Sequence, residues 1–389
     1  MRAPVPVLAG AFASFGAFAG AWAVSAVDVE REFGLSDAQL GLLLAAGVIG
    51  ATAVAAAGGA VSDRFGAGRA LGVALVVWAA LVAGQAAAPA FGPYAVLFVA
   101  ALAVGGFLDV VLNIVAATAL AHEPGRLVRL HAAFNGGCLA GAAVAGVVVR
   151  AGGSWRIVWA VIAVAAVATA FVVHGTDLPQ PPHAERLSMF RALAGLRHEG
   201  ILVLAIVFGA SAMVEGGIAT WGVLYLRDDL ALGVLAGVTA FVLGQALATA
   251  TRIGAGGVIG RLGIRRAVAT GAFVAAVGIS AEAASTGAGL AIAGLAAATV
   301  GISVVWPLLT AEVNNRSRRP AVAIGGVTAM GYFGMVVGPP IVGAISDGFG
   351  LRWGLLLLAA TAAFVAATPA RVRSGAEPAR TVIAPGEPG

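Results

Sequence analysis

Apolar residues run along this chain in long unbroken blocks, without the strict alternation of a half-buried strand or the one-sided stripe of a surface helix. Twelve blocks approach or exceed the length of about 20 residues that an α-helix needs to cross a bilayer. They are Val5–Val27, Ala38–Ala60, Ala70–Ala88, Tyr94–Leu120, His131–Val149, Ile157–Val173, Gly200–Leu226, Gly233–Ile259, Ala267–Ser285, Gly289–Ala311, Ala321–Ile345 and Trp353–Ala370. Short segments rich in arginine, aspartate, glycine and proline separate them. Lipid offers the backbone no partner, so segments of this kind must pair their amides internally, as helices. The expected fold class is therefore all-α and integral to a membrane, with twelve transmembrane helices. The first block follows Met1-Arg2 and is longer than a signal-peptide core, with eleven more behind it, so it reads as a retained helix.

Composition supports this reading. The 389 residues are 60% hydrophobic and 11% charged, against roughly 25% charged in a soluble domain, and mean hydropathy is +0.98. All 23 basic residues are arginine. The sequence pI near 10.5 does not imply a nucleic-acid partner, because the arginines gather at the ends of the apolar blocks. With the N-terminus inside, only Arg31, Arg150, Arg156, Arg227 and Arg352 fall on the outer side. By the positive-inside rule both termini are then cytoplasmic, in a bacterial cytoplasmic (inner) membrane. The single cysteine, Cys138, excludes an intrachain disulfide.

The chain repeats itself. Arg64-Phe65-Gly66-Ala67-Gly68-Arg69-Ala70 recurs as Arg261-Leu262-Gly263-Ile264-Arg265-Arg266-Ala267, an offset of 197 that also carries Gly141 onto Gly338 and Gly146 onto Gly343. Two pseudo-symmetric six-helix bundles follow, residues 1–174 and 200–370. A cytoplasmic linker (175–199) holds Pro179, Pro181, Pro182 and a short amphipathic stretch, and a Pro-rich polar tail (371–389) is expected to be disordered.

Charges inside the spans are costly and therefore mark function. Asp109 lies mid-span in the fourth block with no arginine beside it, and Asn113 shares its helix face at i+4. Such an isolated acid suits a group that gains and loses a proton. Glu215 lies in the seventh block, followed by Trp221 and Tyr225, an i, i+4 aromatic pair that can bind a sugar ring or a cation, or form an interfacial belt. His131 and Asn135 share a face in the fifth block; His131 is a possible proton relay or a capping group. Gln85 and Gln245 are candidate pore amides, and Arg252 can pair with an acid or with carbonyls. Trp306-Pro307 breaks the tenth block and can line a cavity. Gly338-Pro339-Pro340 should kink the eleventh, and Glu282, near the end of the ninth, is expected to be solvated.

The loop after the second block reads Gly59-Ala60-Val61-Ser62-Asp63-Arg64-Phe65-Gly66-Ala67-Gly68-Arg69. Gly59 allows close helix approach, Asp63 can meet the positive end of a helix, and Arg64 and Arg69 stay at the surface. This is a latch that one conformation makes and another breaks, or a charge cluster that sets topology. The second copy has Gly260 where Asp63 stands.

This loop resembles the G-x-x-x-D-R-x-G-x-x-R motif of the major facilitator superfamily, and the resemblance extends over nearly the whole chain. Within it the pattern Leu108-Asp109-x-x-x-Asn113, with Glu215, Trp221, Tyr225, Arg252 and Gly331-Tyr332-Phe333-Gly334, is similar to the branch containing fucose permease. The resemblance implies alternating access and proton-coupled import of a small polar, sugar-like solute. Asp109 and Glu215 would be the proton-coupling acids. Asn113, Asn135, Trp22, Trp221, Tyr225, Gln245 and Trp306 would be substrate-binding, and Gly59, Asp63, Arg64, Gly66, Arg69 and Arg261 would form the gating loops. The first span lacks the acid that sugar permeases of this branch carry; Trp22-Ala23-Val24 stands there.

The alternative is a proton-driven exporter of a drug or hydrophobic metabolite. Such exporters usually carry an arginine in the fourth span and a Gly-Pro motif in the fifth, and Val96–Ala103 and Gly141-Ala142-Ala143 show neither. A non-transporting sensor or scaffold leaves Asp109 and Glu215 unexplained. No nucleophile–base pair or metal-ligand cluster suggests an enzyme, a metal site or a cofactor. The expected partners are a small-molecule substrate, protons and the lipid bilayer, with the chain acting as a monomer.

Overall fold

The computed structural model describes residues 5–55, 57–120, 124–176, 178, 201–254, 260–317 and 320–368. The expected linker, apart from residues 175, 176 and 178, and the expected tail lie outside them. The helices are α1 (Val5–Phe33), α2 (Asp37–Ala55), α3 (Gly58–Phe65), α4 (Ala67–Ala87), α5 (Phe91–Ala119), α6 (Pro124–Arg150) and α7 (Trp155–His174), then α8 (Leu202–Gly217), α9 (Val223–Arg227), α10 (Val234–Gly254), α11 (Ile264–Ala283), α12 (Ala288–Ser303), α13 (Val305–Arg316), α14 (Pro320–Phe349) and α15 (Leu351–Ala367). A π turn, Ile218–Gly222, joins α8 to α9.

Eleven spans are long and apolar enough to cross a membrane, and α15 adds a shorter apolar helix of 17 residues. At 1.5 Å per residue α15 covers about 26 Å, close to a hydrocarbon thickness of about 30 Å. The fold is an all-α integral membrane protein of twelve transmembrane segments. The second span ends early, at Ala55, and its continuation becomes the separate α3. α6 is described from Pro124, and its apolar membrane-spanning part is Ala133–Arg150. At Gly338-Pro339-Pro340, where a kink is expected, α14 stays helical through both prolines.

The packing repeats as the sequence does. In the first half α1 packs on α6, α2 on α5, and α4 on both α7 and α5. In the second, α8 packs on α14, α10 on α12, and α11 on both α15 and α12. Each second-half pair is the first-half pair moved six spans along. Backbone conformation repeats too. Gly66 and Gly263, 197 apart, both turn with positive φ (87° and 76°). Gly34 (62°) is matched by Ala231 (50°), the one non-glycine residue with positive φ among those described.

The halves meet through α2 on α14 and α6 on α10. A Cβ at Gly41 would overlap the Pro339 carbonyl, and one at Gly343 would overlap the Asp37 carbonyl. Here backbone rests on backbone. Arg31 bonds Asp228 at 2.5 Å, with the two side chains 55% and 48% exposed. Arg227 grips Asp28 with two bonds of 2.8 and 2.9 Å and donates to the Val24 carbonyl. Between described residues, the ion pairs that join the halves all lie at this end, the Asp228 face. The opposite end carries Arg64 and Arg261 and is called the Arg64 face.

Gly41→Val should therefore hold the halves apart at the Asp228 face. Spin labels placed at its rim on either half should move apart relative to wild type; an unchanged distance would show that the α2–α14 contact does not seal this end.

Candidate functional site

The first candidate site begins with a missing hydrogen bond. Pro307 has no N–H, so the carbonyl four residues back, Ser303, has no helical donor. The helix breaks there: α12 ends at Ser303 and α13 starts at Val305. Arg252 of α10 fills the gap, its Nε donating to the Ser303 carbonyl at 2.9 Å. Its Nη2 reaches Glu215 Oε1 of α8 at 3.2 Å. Glu215 thus has its cation from a different span, and Arg252 pairs with both an acid and a carbonyl. The two side chains keep 33% and 41% of their surface exposed. They line a cavity of about 30 Å³ with Gln245, Thr299, Ser303 and the apolar Ile218, Phe241 and Leu295. That is room for a water or two.

The second candidate site is in α5. Asn113 Nδ2 donates to Asp109 Oδ1 at 3.0 Å and to the Asp109 carbonyl at 2.7 Å, the local geometry that i, i+4 spacing allows. Tyr332 of α14 is within electrostatic reach of Asp109. Next to it, a Cβ at Gly331 would come 2.9 Å from the Trp306 ring, and that ring packs, tilted, with its centroid 4.2 Å from that of Phe208 of α8. The repeat links Asp109 to the same second-half region: Trp306 is its partner, 197 residues on.

Residues 7–325 match the family model described as Major Facilitator Superfamily. The chain belongs to that superfamily. It is 29% identical over 354 residues to the membrane protein MosC of Rhizobium meliloti, covering 89% of this chain and 84% of MosC. Among solved structures it is similar to the nucleoside transporter NupG (D323A mutant; TM-score 0.76, 14% identity, 94% of this chain and 99% of that one). It is also similar to a D-xylose–proton symporter (TM-score 0.69, 16% identity, 94% and 96%). Likeness at that identity shows the fold. The protein is a membrane transporter of this superfamily and not an enzyme.

Other residues singled out in the sequence lie elsewhere. Trp22 is 8% exposed, its ring packed 4.6 Å from Phe98 and 6.5 Å from Trp159. Trp221, in the π turn, is fully enclosed, and Tyr225 is buried with its hydroxyl donating to the Ala283 carbonyl at 3.1 Å. The structure brings none of the three to the Glu215–Arg252 cavity. Gln85 is no pore amide: it is buried and accepts from Trp159 Nε1 at 3.2 Å. Glu282 is not solvated. It is completely buried, and neither carboxyl oxygen has a hydrogen-bond partner among the described residues. Its Oε1 would sit 3.1 Å from a Cβ at Gly222, against the π turn. Asn135 is half-buried in α6.

In the superfamily loop, α3 ends and Gly66 turns the chain into α4. Gly59 lies within α3. Arg64, Arg69 and Arg261 are exposed, and Arg64 lies 5.2 Å over the Phe65 ring. The Asp63 and His131 side chains lie outside what the structure describes. Sequence reasoning passed over Tyr332 as a site residue, and the signal was available: it is the repeat partner of Asn135, 197 residues on. Thr299 and the role of Pro307 depend on how α12 and α13 meet α10, which no spacing in the sequence encodes.

The Glu215–Arg252 pair joins two membrane-spanning helices, where polar contacts between helices carry modest coupling energies. A double-mutant cycle with Glu215→Gln and Arg252→Gln, read by thermal unfolding in detergent, should give about 0.5–1 kcal/mol. Pro307→Ala returns a donor to the Ser303 carbonyl and competes with Arg252. It should lower that coupling toward zero while leaving the protein folded; an undiminished coupling would remove Pro307 from the site.

Proposed function

We propose that this transporter works by alternating access and imports a small polar, sugar-like solute together with protons. The observation that carries the reading is one acid in each half at bilayer depth: Asp109 with Asn113, and Glu215 with Arg252. Asp109 takes the role of the proton carrier. Glu215 and Arg252 take the role of a pair that solute or a proton separates, since an ion pair at this depth is held only while its partners have nothing better to bind. Asn113, Asn135, Gln245, Thr299 and Tyr332 supply hydrogen bonds for hydroxyls, and Trp306 supplies an apolar face. The solved xylose–proton symporter and the nucleoside transporter, both of this fold, support a polyhydroxylated solute.

In this reading the Arg64 face is cytoplasmic in a bacterial inner membrane, by the arginine asymmetry, and the conformer is closed on the outer side. Residues 1–174 and 200–370 are the moving bundles, 175–199 the cytoplasmic linker and 371–389 a tail, with one chain as the working unit. Asp63, Arg64 and Arg69 serve as the inner latch, with Arg261 in the weaker second copy. Trp221 and Tyr225 act through packing. The wall of Ile218, Phe241 and Leu295 favours a second reading, export of a hydrophobic compound.

The test uses proteoliposomes loaded with a solute chosen by thermal stabilisation across sugars, organic acids and drugs. An inward proton gradient should drive uphill accumulation. Asp109→Asn should abolish accumulation and spare solute counterflow. Uphill transport by Asp109→Asn at the wild-type level would remove Asp109 from coupling. Proton-driven efflux of an apolar compound would replace import with export.

A further inference from the structure

The Arg64 face carries two cavities that share a rim. One, about 420 Å³, is lined by Phe65, Gly66, Gly68 and Thr176. The other, about 500 Å³, runs between α4 and α7 along Gly72, Val73, Val76, Val77 and Phe171. Arg69 and His174 line both. The first is mixed in polarity and lies at the helix ends. The second is apolar and faces outward, with Val73 64% and Phe171 76% exposed.

Glycine makes the room. Gly68 and Gly72 lie one turn apart on the face of α4 that meets α7 and the residues beyond it. A Cβ at Gly72 would meet nothing nearer than Val173 Cγ1 at 3.7 Å, and one at Gly68 would only touch Leu178 at 3.4 Å. A Cβ at 72 would fit without clash in the groove that Gly72 lines. No carboxylate is among the described residues that line either cavity. Arg69 at the shared rim suits an anionic group, and the valine groove suits an apolar chain.

We propose that these two cavities form one phospholipid site, with an anionic headgroup phosphate against Arg69 and His174 and one acyl chain along the Gly72 groove. Cationic pockets between transmembrane helices at a membrane surface select anionic lipid in this way. Annular lipid alone would need only the valines; the shared rim of Arg69 and His174 and the glycine-cut floor define a particular molecule. Arg69 also ends the loop between the second and third spans, so an occupied site ties that loop to the bilayer surface.

The experiment measures retention of phosphatidylglycerol and of phosphatidylcholine by the full chain in detergent, by native mass spectrometry, together with the thermal midpoint in each lipid. Wild type should retain phosphatidylglycerol in preference and be stabilised by it, and inorganic phosphate alone should do neither. Gly72→Leu, which adds a side chain to the groove wall, and His174→Gln, which removes a rim group, should each weaken retention about five- to tenfold. Val164→Leu, a lipid-facing change on α7 away from the groove, should leave it unchanged. Wild-type retention by both Gly72→Leu and His174→Gln, or equal retention of the two lipids, overturns the proposal. Equal stabilisation by inorganic phosphate would mean a free-anion site and would overturn it as well.

Discussion

Close backbone approach across glycine is the constraint on which the rest of this structure depends. Between helices in lipid there is no hydrophobic force, because the tails are as apolar as the side chains. What remains is dispersion, and it is strongest where backbones touch. On α1 and α6 the device is reciprocal. A Cβ at Gly16 or Gly20 would run into the Phe134 or Cys138 carbonyl, and one at Gly137 or Gly141 into the Ala13 or Ala17 carbonyl. The repeat partner of Gly137 is Gly334, and it rests on the Gly209 carbonyl of α8. The same device reappears between the halves at Gly41 and Gly343. There it serves a different end: surfaces without interlocking side chains can part without dragging rotamers past one another.

The two halves share that frame and differ in what fills it. The first is rich in rings: Phe18, Trp22, Trp78, Tyr94, Phe98, Trp155 and Trp159 meet edge-on, tilted or, for Tyr94 and Phe98, stacked across α1, α4, α5 and α7. Such packing resists deformation. The second half carries the irregularities instead. It has the π turn in the seventh span, the break at Val304 in the tenth and the uncompensated Glu282 carboxyl beside Gly222. π turns and mid-span breaks are places where backbone hydrogen bonds can be exchanged at low cost. The ion pair Glu215–Arg252 sits between these two irregular spans, so a change in either one changes the distance between its partners.

Much of this was legible in the sequence. Lipid forces helices, so block length sufficed to count spans, and the offset of 197 anticipated both the paired packing and the matching turns at Gly66 and Gly263. Asp109 and Asn113 were legible because their relation lies within one helix. What was not legible depends on contacts between spans. Trp22, Trp221 and Tyr225 have the residue types of a binding site, yet their burial is set by which face of each helix its neighbours cover. Glu282 shows the same limit from the other side. Its place near a span end suggested water, but Gly222 and Gly294 let their helices close over it.

The repeat also bears on why the Asp228 face is the closed one here. Arg31 and Asp228 are 197 residues apart and so occupy equivalent places in the two halves, where an approximate two-fold axis brings them together. At that face the equivalent residues carry opposite charges, and meeting is favourable even though so exposed a pair adds at most about 1 kcal/mol. At the other face the equivalent residues are Arg64 and Arg261, two like charges. Closing that end along the same axis sets them against each other. Asp63 is the acid next to Arg64 in sequence, and Gly260 leaves the second copy without one. Closure at the Arg64 face therefore depends on asymmetric contacts, while closure at the Asp228 face is helped by the symmetry itself. In a transporter built from two copies of one bundle, such a difference between the ends biases the population toward closure at the Asp228 face.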